Sequence, residues 1–407
     1  MTARGAVLDA SDGPADPASD DEGAAMRSRS ERSRVEQRRR RSTRRRGWAC
    51  LVIATVLVAT TVVVGNAVRR RQESGAGGST PAAPAVRTTL FAIGRDDGTA
   101  AVTVLLGEGR SGGPSTAVMI PGSLQVETPG LDRQSVGDLT ALGGVATLGL
   151  AVRNTLGVRL DNTAVIPVAE AAASLAAVGP LDIDLRNPVD LSAVPGGRRF
   201  PDGPQQVTGA EAWLLLTALP PGGERDHLDA ARAVLTAWAV AEAKTDGRVD
   251  EVAAIARSEA AFQTLPVEVA VTDDGSDRYT LDREGTTRAV RRWFPGALDH
   301  LGSGRPKVEV RNGSGAVGVT QQAASAIVPL GAQVTLTGNV AQFGVPTSTV
   351  SYYRREDAAA AHAIADALGI TSVSRIESNV NVVDISVVLG ADFTAPSPPN
   401  AETAPST

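Results

Sequence analysis

Cysteine is almost missing from this chain. The single one, Cys50, has no partner, so an intramolecular disulfide is excluded and packing alone must hold the folded parts. Lysine is nearly as scarce. Of 40 basic residues only Lys244 and Lys307 are lysines, and this arginine excess, with abundant Ala and Gly, points to a GC-rich bacterial genome. Aromatic residues make up 3%, so any core must be built mainly from Ala, Val and Leu. The three histidines, His227, His300 and His362, stand apart without metal-ligand spacing, which assigns them to surface or helix-face positions. No serine or cysteine has a recognisable base partner in sequence.

What is present divides the 407 residues sharply. Residues 1–47 run from an acidic Ser/Pro/Ala/Gly stretch into RSRSERSRVEQRRRRSTRRR, with eleven arginines and almost nothing apolar, a composition that cannot fold. Residues 48–68, WACLVIATVLVATTVVVGNAV, are uncharged and as a helix would reach about 31 Å, enough to cross a bilayer. A secretory signal peptide is the nearest competitor, but VRRR follows where a small-x-small cleavage motif would stand. The eleven arginines of that run, against Arg69, Arg70 and Arg71 after the span, predict a cytoplasmic N-terminus, with everything beyond residue 70 outside. The basic run could bind nucleic acid or anionic lipid, but a topology role suffices for it.

Residues 1–73 carry fifteen arginines against nine acids, so the remainder must hold −11 to reach the total of −5. That acidic exterior speaks against a nucleic-acid partner. Residues 69–87 read as a Gly/Ser/Pro/Ala linker and 394–407 as a disordered tail.

VEVRNGSGAVGVTQQAA, beginning at Val308, places Gly313, Gly315 and Gly318 in a Gly-x-Gly-x-x-Gly pattern between a strand-like run and a helix. A dinucleotide site would need an acid about 20 residues on, and VTLTGNVAQFG supplies none. The glycines are read instead as shaping a strand-to-helix turn.

Two folded regions lie between linker and tail, separated by HLGSGRP at 300–306. The first opens with strands TTLFAIG, AAVTVLLGE and STAVMIPGSLQVE. A helix follows, with Leu139, Leu142, Val145, Leu148, Leu150, Val152 and Leu156 on its apolar face. NTAVIPV, an alanine-rich helix at 169–178, and GPLDIDLRNPVDL come next. In that last strand Asp182 and Asp184 share one face and are read as solvated. Helices are expected in TGAEAWLLLTAL, with Thr208 as N-cap, and in DHLDAARAVLTAWAVAEA. Strands alternating with helices predict a layered α/β domain over 88–300. The second region, 306–393, reads as strands 307–311, 332–338, 347–353, 372–376 and 382–389 with helices 316–328 and 356–368. That βαββαβ order predicts two helices on one face of a small mixed sheet.

VEVRNGSGAVGVTQQAA, GNVAQFGVPTSTVSYY, DAAAAHAIADALGI and VDISVVLGADF resemble the LytR C-terminal domain. VMIPGSLQVETPG, NTLGVRLDNTAVIPV, AAVGPLDIDLRNPV and FPDGPQQVTGAEAWLLL resemble, in order and spacing, a divergent LytR-CpsA-Psr domain. The resemblance implies a membrane-anchored envelope protein, of actinobacterial type by composition. Its relatives transfer lipid-linked glycopolymers to peptidoglycan, using phosphate-binding arginines and Mg²⁺.

The departures fall on those arginines. An Ile-Pro-Arg-Asp motif is replaced by Ile120, Pro121, Gly122 and Ser123, and a later arginine pair by TALPPGG. Only Arg95, Asp96 and Asp97 could stand in for the family's arginine and metal-binding aspartate, and GRDDGT is equally an ordinary charged turn. The expectation is a non-catalytic scaffold without a cofactor, binding glycopolymer, lipid-linked intermediate or a partner protein. The alternative is a phosphotransferase using Arg95, Asp96, Asp97 and Mg²⁺.

Overall fold

The computed structural model describes residues 86–110, 113–245, 248–271, 277–301, 304–377 and 382–395. The expected arm, apolar span 48–68, most of the linker and nearly all of the tail lie outside these residues. The described residues form a mixed α/β structure.

The chain opens with β1 (Val86–Gly94), β2 (Ala100–Gly109) and β3 (Thr116–Ile120), then the hairpin β4 (Gln125–Thr128) and β5 (Asp132–Ser135). Helix α1 (Leu139–Leu156), β6 (Asn162–Ile166), α2 (Val168–Val178) and β7 (Leu181–Leu185) follow. After the short β8 (Val189–Asp190) and β9 (Arg199–Phe200) come β10 (Gly203–Val207), α3 (Gly209–Thr217), α4 (Glu224–Lys244) and α5 (Asp250–Arg257). This part closes with β11 (Ala261–Thr264), the hairpin β12 (Val267–Val271) and β13 (Asp277–Leu281), and α6 (Arg283–Trp293).

Its main sheet has the order β11-β3-β2-β1-β6. The three central strands are antiparallel, and the outer pairs β1/β6 and β3/β11 are parallel. β1 and β3 are buried almost throughout, the pattern of strands covered on both faces. Side-chain alternation sends Phe91, Ile93, Val104 and Met119 to one face, against Leu175 of α2, Leu215 of α3, and Leu235 and Trp238 of α4. Leu90, Leu105 and Val118 face the other way, against Leu139 and Leu148 of α1 and Phe294. Gly107 is required there, because a Cβ would lie 2.7 Å from the Phe294 ring.

α1 departs from the single apolar face expected of it. Gly143 and Gly144 break its helical backbone, Gly144 at φ +69, and Leu142 and Val145 beside the break are 51% and 39% exposed rather than core. Helix α3 starts as its sequence indicates, on a capping box in which Thr208 and Glu211 satisfy each other's backbone N–H groups.

The C-terminal part comprises β14 (Lys307–Asn312), α7 (Val319–Ile327), β15 (Gln333–Asn339), β16 (Thr349–Tyr352), α8 (Ala358–Leu368), β17 (Ser372–Arg375) and β18 (Ile385–Leu389). Its sheet order is β15-β14-β18-β16-β17, parallel except for β16 against β18. This is the mixed sheet expected, with α7 and α8 packed on each other and Val310, Ile327, Ile364 and Val387 in its core.

α1 carries the junction between the two parts. Its buried Asn154 donates through Nδ2 to the Val334 carbonyl and accepts from the Val334 N–H, both at 2.8 Å, so one side-chain amide pairs with the outer edge of β15. Arg153 forks onto Asp299 at 2.6 and 3.0 Å, and Leu150 packs against the C-terminal core.

The Gly-x-Gly-x-x-Gly loop does sit between parallel strands, on the β14-α7-β15 crossover. Its space is taken by the chain itself: the Gly313 carbonyl accepts from Gly344 and Val345, and the Gly313 N–H donates to Leu389. A Cβ at Gly313 would lie 2.9 Å from Val345. The Gly315 N–H already donates to the Asn312 carboxamide at 2.9 Å.

Candidate functional site

Where β3 ends, Pro121–Leu124 turns the chain toward the hairpin β4–β5. This turn, the β1–β2 turn and the Leu219–Glu224 approach to α4 enclose a cavity of about 690 Å³ at one end of the main sheet. The expected strand over 115–127 is therefore two strands, and the break between them forms a wall of the cavity.

Arg95 enters the cavity wall half-buried. Its Nε donates to the Thr217 carbonyl and its Nη1 to the Ala100 carbonyl, each at 3.1 Å. Thr217 is the last residue of α3, so the guanidinium sits at the negative end of that helix. Burial pushes its pKa down, while Asp97, Glu224 and Asp138 oppose the shift.

Asp96 and Asp97 do not join it in the lining. The Asp97 carboxylate accepts from the Thr99 hydroxyl at 2.6 Å and the Thr99 N–H at 2.9 Å, which closes its own turn and holds its pKa below the usual carboxylate range. Asp96 is exposed. Among the described residues no three His, Cys, Asp or Glu side chains gather to hold a metal. One exposed carboxylate and one engaged in its own turn do not make the octahedral oxygen set that Mg²⁺ demands.

Opposite Arg95, at Gly122 and Ser123, stands a group that the sequence did not single out. Glu224, the first residue of α4, is 9% exposed and turns its carboxylate onto Ser123. The Ser123 N–H donates to its two oxygens at 3.1 and 3.2 Å, and the Ser123 hydroxyl donates to Oε2. A Cβ at Gly122 would come within 3.3 Å of Oε1. The carboxylate thus occupies donors that could otherwise face an anion. The cavity wall balances Arg95 and Arg278 against Glu224 and Asp138.

His227, one turn along α4, is 3% exposed rather than on the surface. Its Nδ1 lies 3.1 Å from the Ala218 carbonyl and its Nε2 3.2 Å from the Ala101 carbonyl. Burial pushes its pKa down and the Arg95 charge adds to this, against the two carbonyls. A neutral ring can donate to only one of these carbonyls, whereas an imidazolium donates to both.

Asp182 and Asp184 lie elsewhere, exposed on β7, and Gln206 donates to Asp182 at 3.2 Å. They are a solvated face. Sequence reading started α4 near Asp226 and so missed Glu224. The available signal was an acid directly after Pro-Pro-Gly-Gly, in a first helical turn.

Residues 305–393 match the family model described as LytR cell envelope-related transcriptional attenuator. That match spans the C-terminal part, over the same residues that resemble the LytR C-terminal domain in sequence. Solved structures similar to the chain include B. subtilis TagT, at TM-score 0.43 and 13% identity over 54% of this chain and 94% of that one. B. subtilis TagV gives TM-score 0.42 and 12% identity over 52% and 98%, and the LytR-Csp2A-Psr enzyme from Actinomyces oris 0.40 and 16% over 53% and 92%. No curated protein matches the chain.

Proposed function

We propose that the chain is a membrane-anchored, extracytoplasmic cell-envelope protein whose first folded part holds its ligand without transferring it. The ligand class is a cell-wall glycopolymer, a lipid-linked intermediate or a partner envelope protein. The C-terminal family match supports the envelope setting, and the apolar run 48–68 with its arginine-rich lead supports the anchor.

One observation carries the non-catalytic reading: the Glu224 carboxylate sits on the Ser123 N–H and hydroxyl, beside the arginine-free Gly122. Transfer of a pyrophosphoryl-linked group needs cations gathered on phosphate oxygens, and a resident carboxylate repels those oxygens. The competing reading, a phosphotransferase built on Arg95, Asp96 and Asp97 with Mg²⁺, meets an arginine bonded to a helix end and an aspartate closing a turn.

The test is the purified full chain with a polyprenyl pyrophosphate-linked sugar and a peptidoglycan acceptor, with and without Mg²⁺. The scaffold reading expects no Mg²⁺-dependent release of polyprenyl phosphate. Release that disappears in Arg95→Gln would overturn it in favour of the transferase.

A further inference from the structure

A second cavity, of about 740 Å³, opens at the junction of the two parts, away from Arg95 and Glu224. One wall is a single face of α6: Arg283, Thr286, Thr287, Val290 and Arg291 recur at helical spacing and all line it. Facing them are Arg305, Gln125 and Gln333, over an apolar floor that includes Leu156, Leu281 and Leu298.

The charges here do not cancel. Four arginines line the cavity against two acids, and both acids are taken: Glu127 by Arg133 at 2.7 Å and Asp299 by Arg153 at 2.6 Å. Arg283, Arg291 and Arg305 form no salt bridge among the described residues, which leaves three guanidinium groups around one opening. Arg305 is the most constrained of the three. Its Nη2 donates to the Asn154 carbonyl at 2.7 Å, at the C-terminal end of α1, while its Nε is buried without a hydrogen-bond partner. The volume falls in the range of small-molecule sites, and such sites favour domain junctions.

We infer that this junction cavity binds an anionic sugar unit, one bearing a phosphate or a carboxylate. The guanidinium groups match either anion in forked geometry. Thr280 and Gln333 supply a hydroxyl and an amide that sugar hydroxyls pair with; the Thr286 and Thr287 hydroxyls, which donate to the Pro266 and Arg283 carbonyls, can still accept, and the leucines meet the apolar face of the ring. The two cavities share Gln125 in their linings, but Arg283, Arg291 and Arg305 line only this one.

Calorimetry on the full chain with glucose 1-phosphate, glucuronate, methyl glucoside and inorganic phosphate tests it. At least one anionic sugar should bind about tenfold more tightly than both methyl glucoside and inorganic phosphate, and which one binds identifies the anion. Arg283 and Arg291 are exposed, so the double variant Arg283→Gln/Arg291→Gln should keep its melting temperature and lose binding by about tenfold. Amide exchange should slow in 283–291 and 304–305 when the sugar is added. The inference fails if neither anionic sugar binds, if inorganic phosphate binds equally well, if the double variant binds like the parent, or if protection appears elsewhere.

Discussion

The Ser123 backbone N–H and the Glu224 carboxylate are 101 residues apart in sequence and 3.1 Å apart in space. Replacing Glu224 by Ala removes the acceptor from that N–H and from the Ser123 hydroxyl, and takes a negative charge from the first turn of α4. The loss should be about 1–3 kcal/mol of stability. The freed donors should then accept an added anion, so pyrophosphate should raise the melting temperature of Glu224→Ala and leave the parent chain unchanged. Equal shifts in the two proteins would mean that the carboxylate does not block anion entry.

Asn154 satisfies both backbone groups of Val334 with one side chain. Asn154→Ala leaves a buried N–H and C=O at the junction unpaired, at a cost of roughly 1–3 kcal/mol, whereas an exposed Asn on α1 would cost little. Urea denaturation measures it. A change below about 0.5 kcal/mol would show that the amide bridges contribute nothing net.

His227 links stability to pH. Its folded-state pKa is depressed below 6.5, so the unfolded chain takes up a proton on acidification before the folded one does. Stability from this group is complete above 6.5 and is lost as pH falls, by up to about 1.4 kcal/mol per pH unit until the folded ring itself protonates. Urea midpoints measured from neutral pH toward the carboxylate range should decline for the parent and flatten in His227→Gln. A parent profile that is level through that window would contradict a depressed folded-state pKa.

Gly313→Ala should destabilise the C-terminal domain. Its methyl group would meet Val345 at 2.9 Å and the Leu389 carbonyl at 3.0 Å, which implies overpacking of about 1–3 kcal/mol. Gly318 has nothing within 4 Å but sits at φ +80, so an alanine there would meet backbone strain and no clash. Thermal melts of the two variants separate these effects, and an unchanged Gly313→Ala would show that the loop yields.

Local patterns were readable where the fold is local. The five C-terminal strands and two helices lie within a few residues of their sequence positions. Helix α7, expected from 316, begins at Val319 because left-handed Gly318 precedes it. Thr208 announced its helix through capping chemistry that needs only three neighbours.

What escaped depends on distant partners. β11 completes the main sheet by pairing with β3, which lies far back in the chain. Glu224 means something only once Ser123 is beside it, and the basic face of α6 only once Arg305 stands opposite. Leu142 and Val145 fit a helical period that Gly143 and Gly144 interrupt, and the apolar spacing gives no sign of that interruption.

The amide of Asn154 also decides how the C-terminal sheet meets other chains. By answering both hydrogen-bonding groups of Val334, it occupies the start of the β15 margin, where a visiting peptide backbone would otherwise pair. At the opposite margin of the sheet, Ser372–Arg375 carries no such side-chain pairing among the described residues, so the two edges differ in how they would receive an added strand.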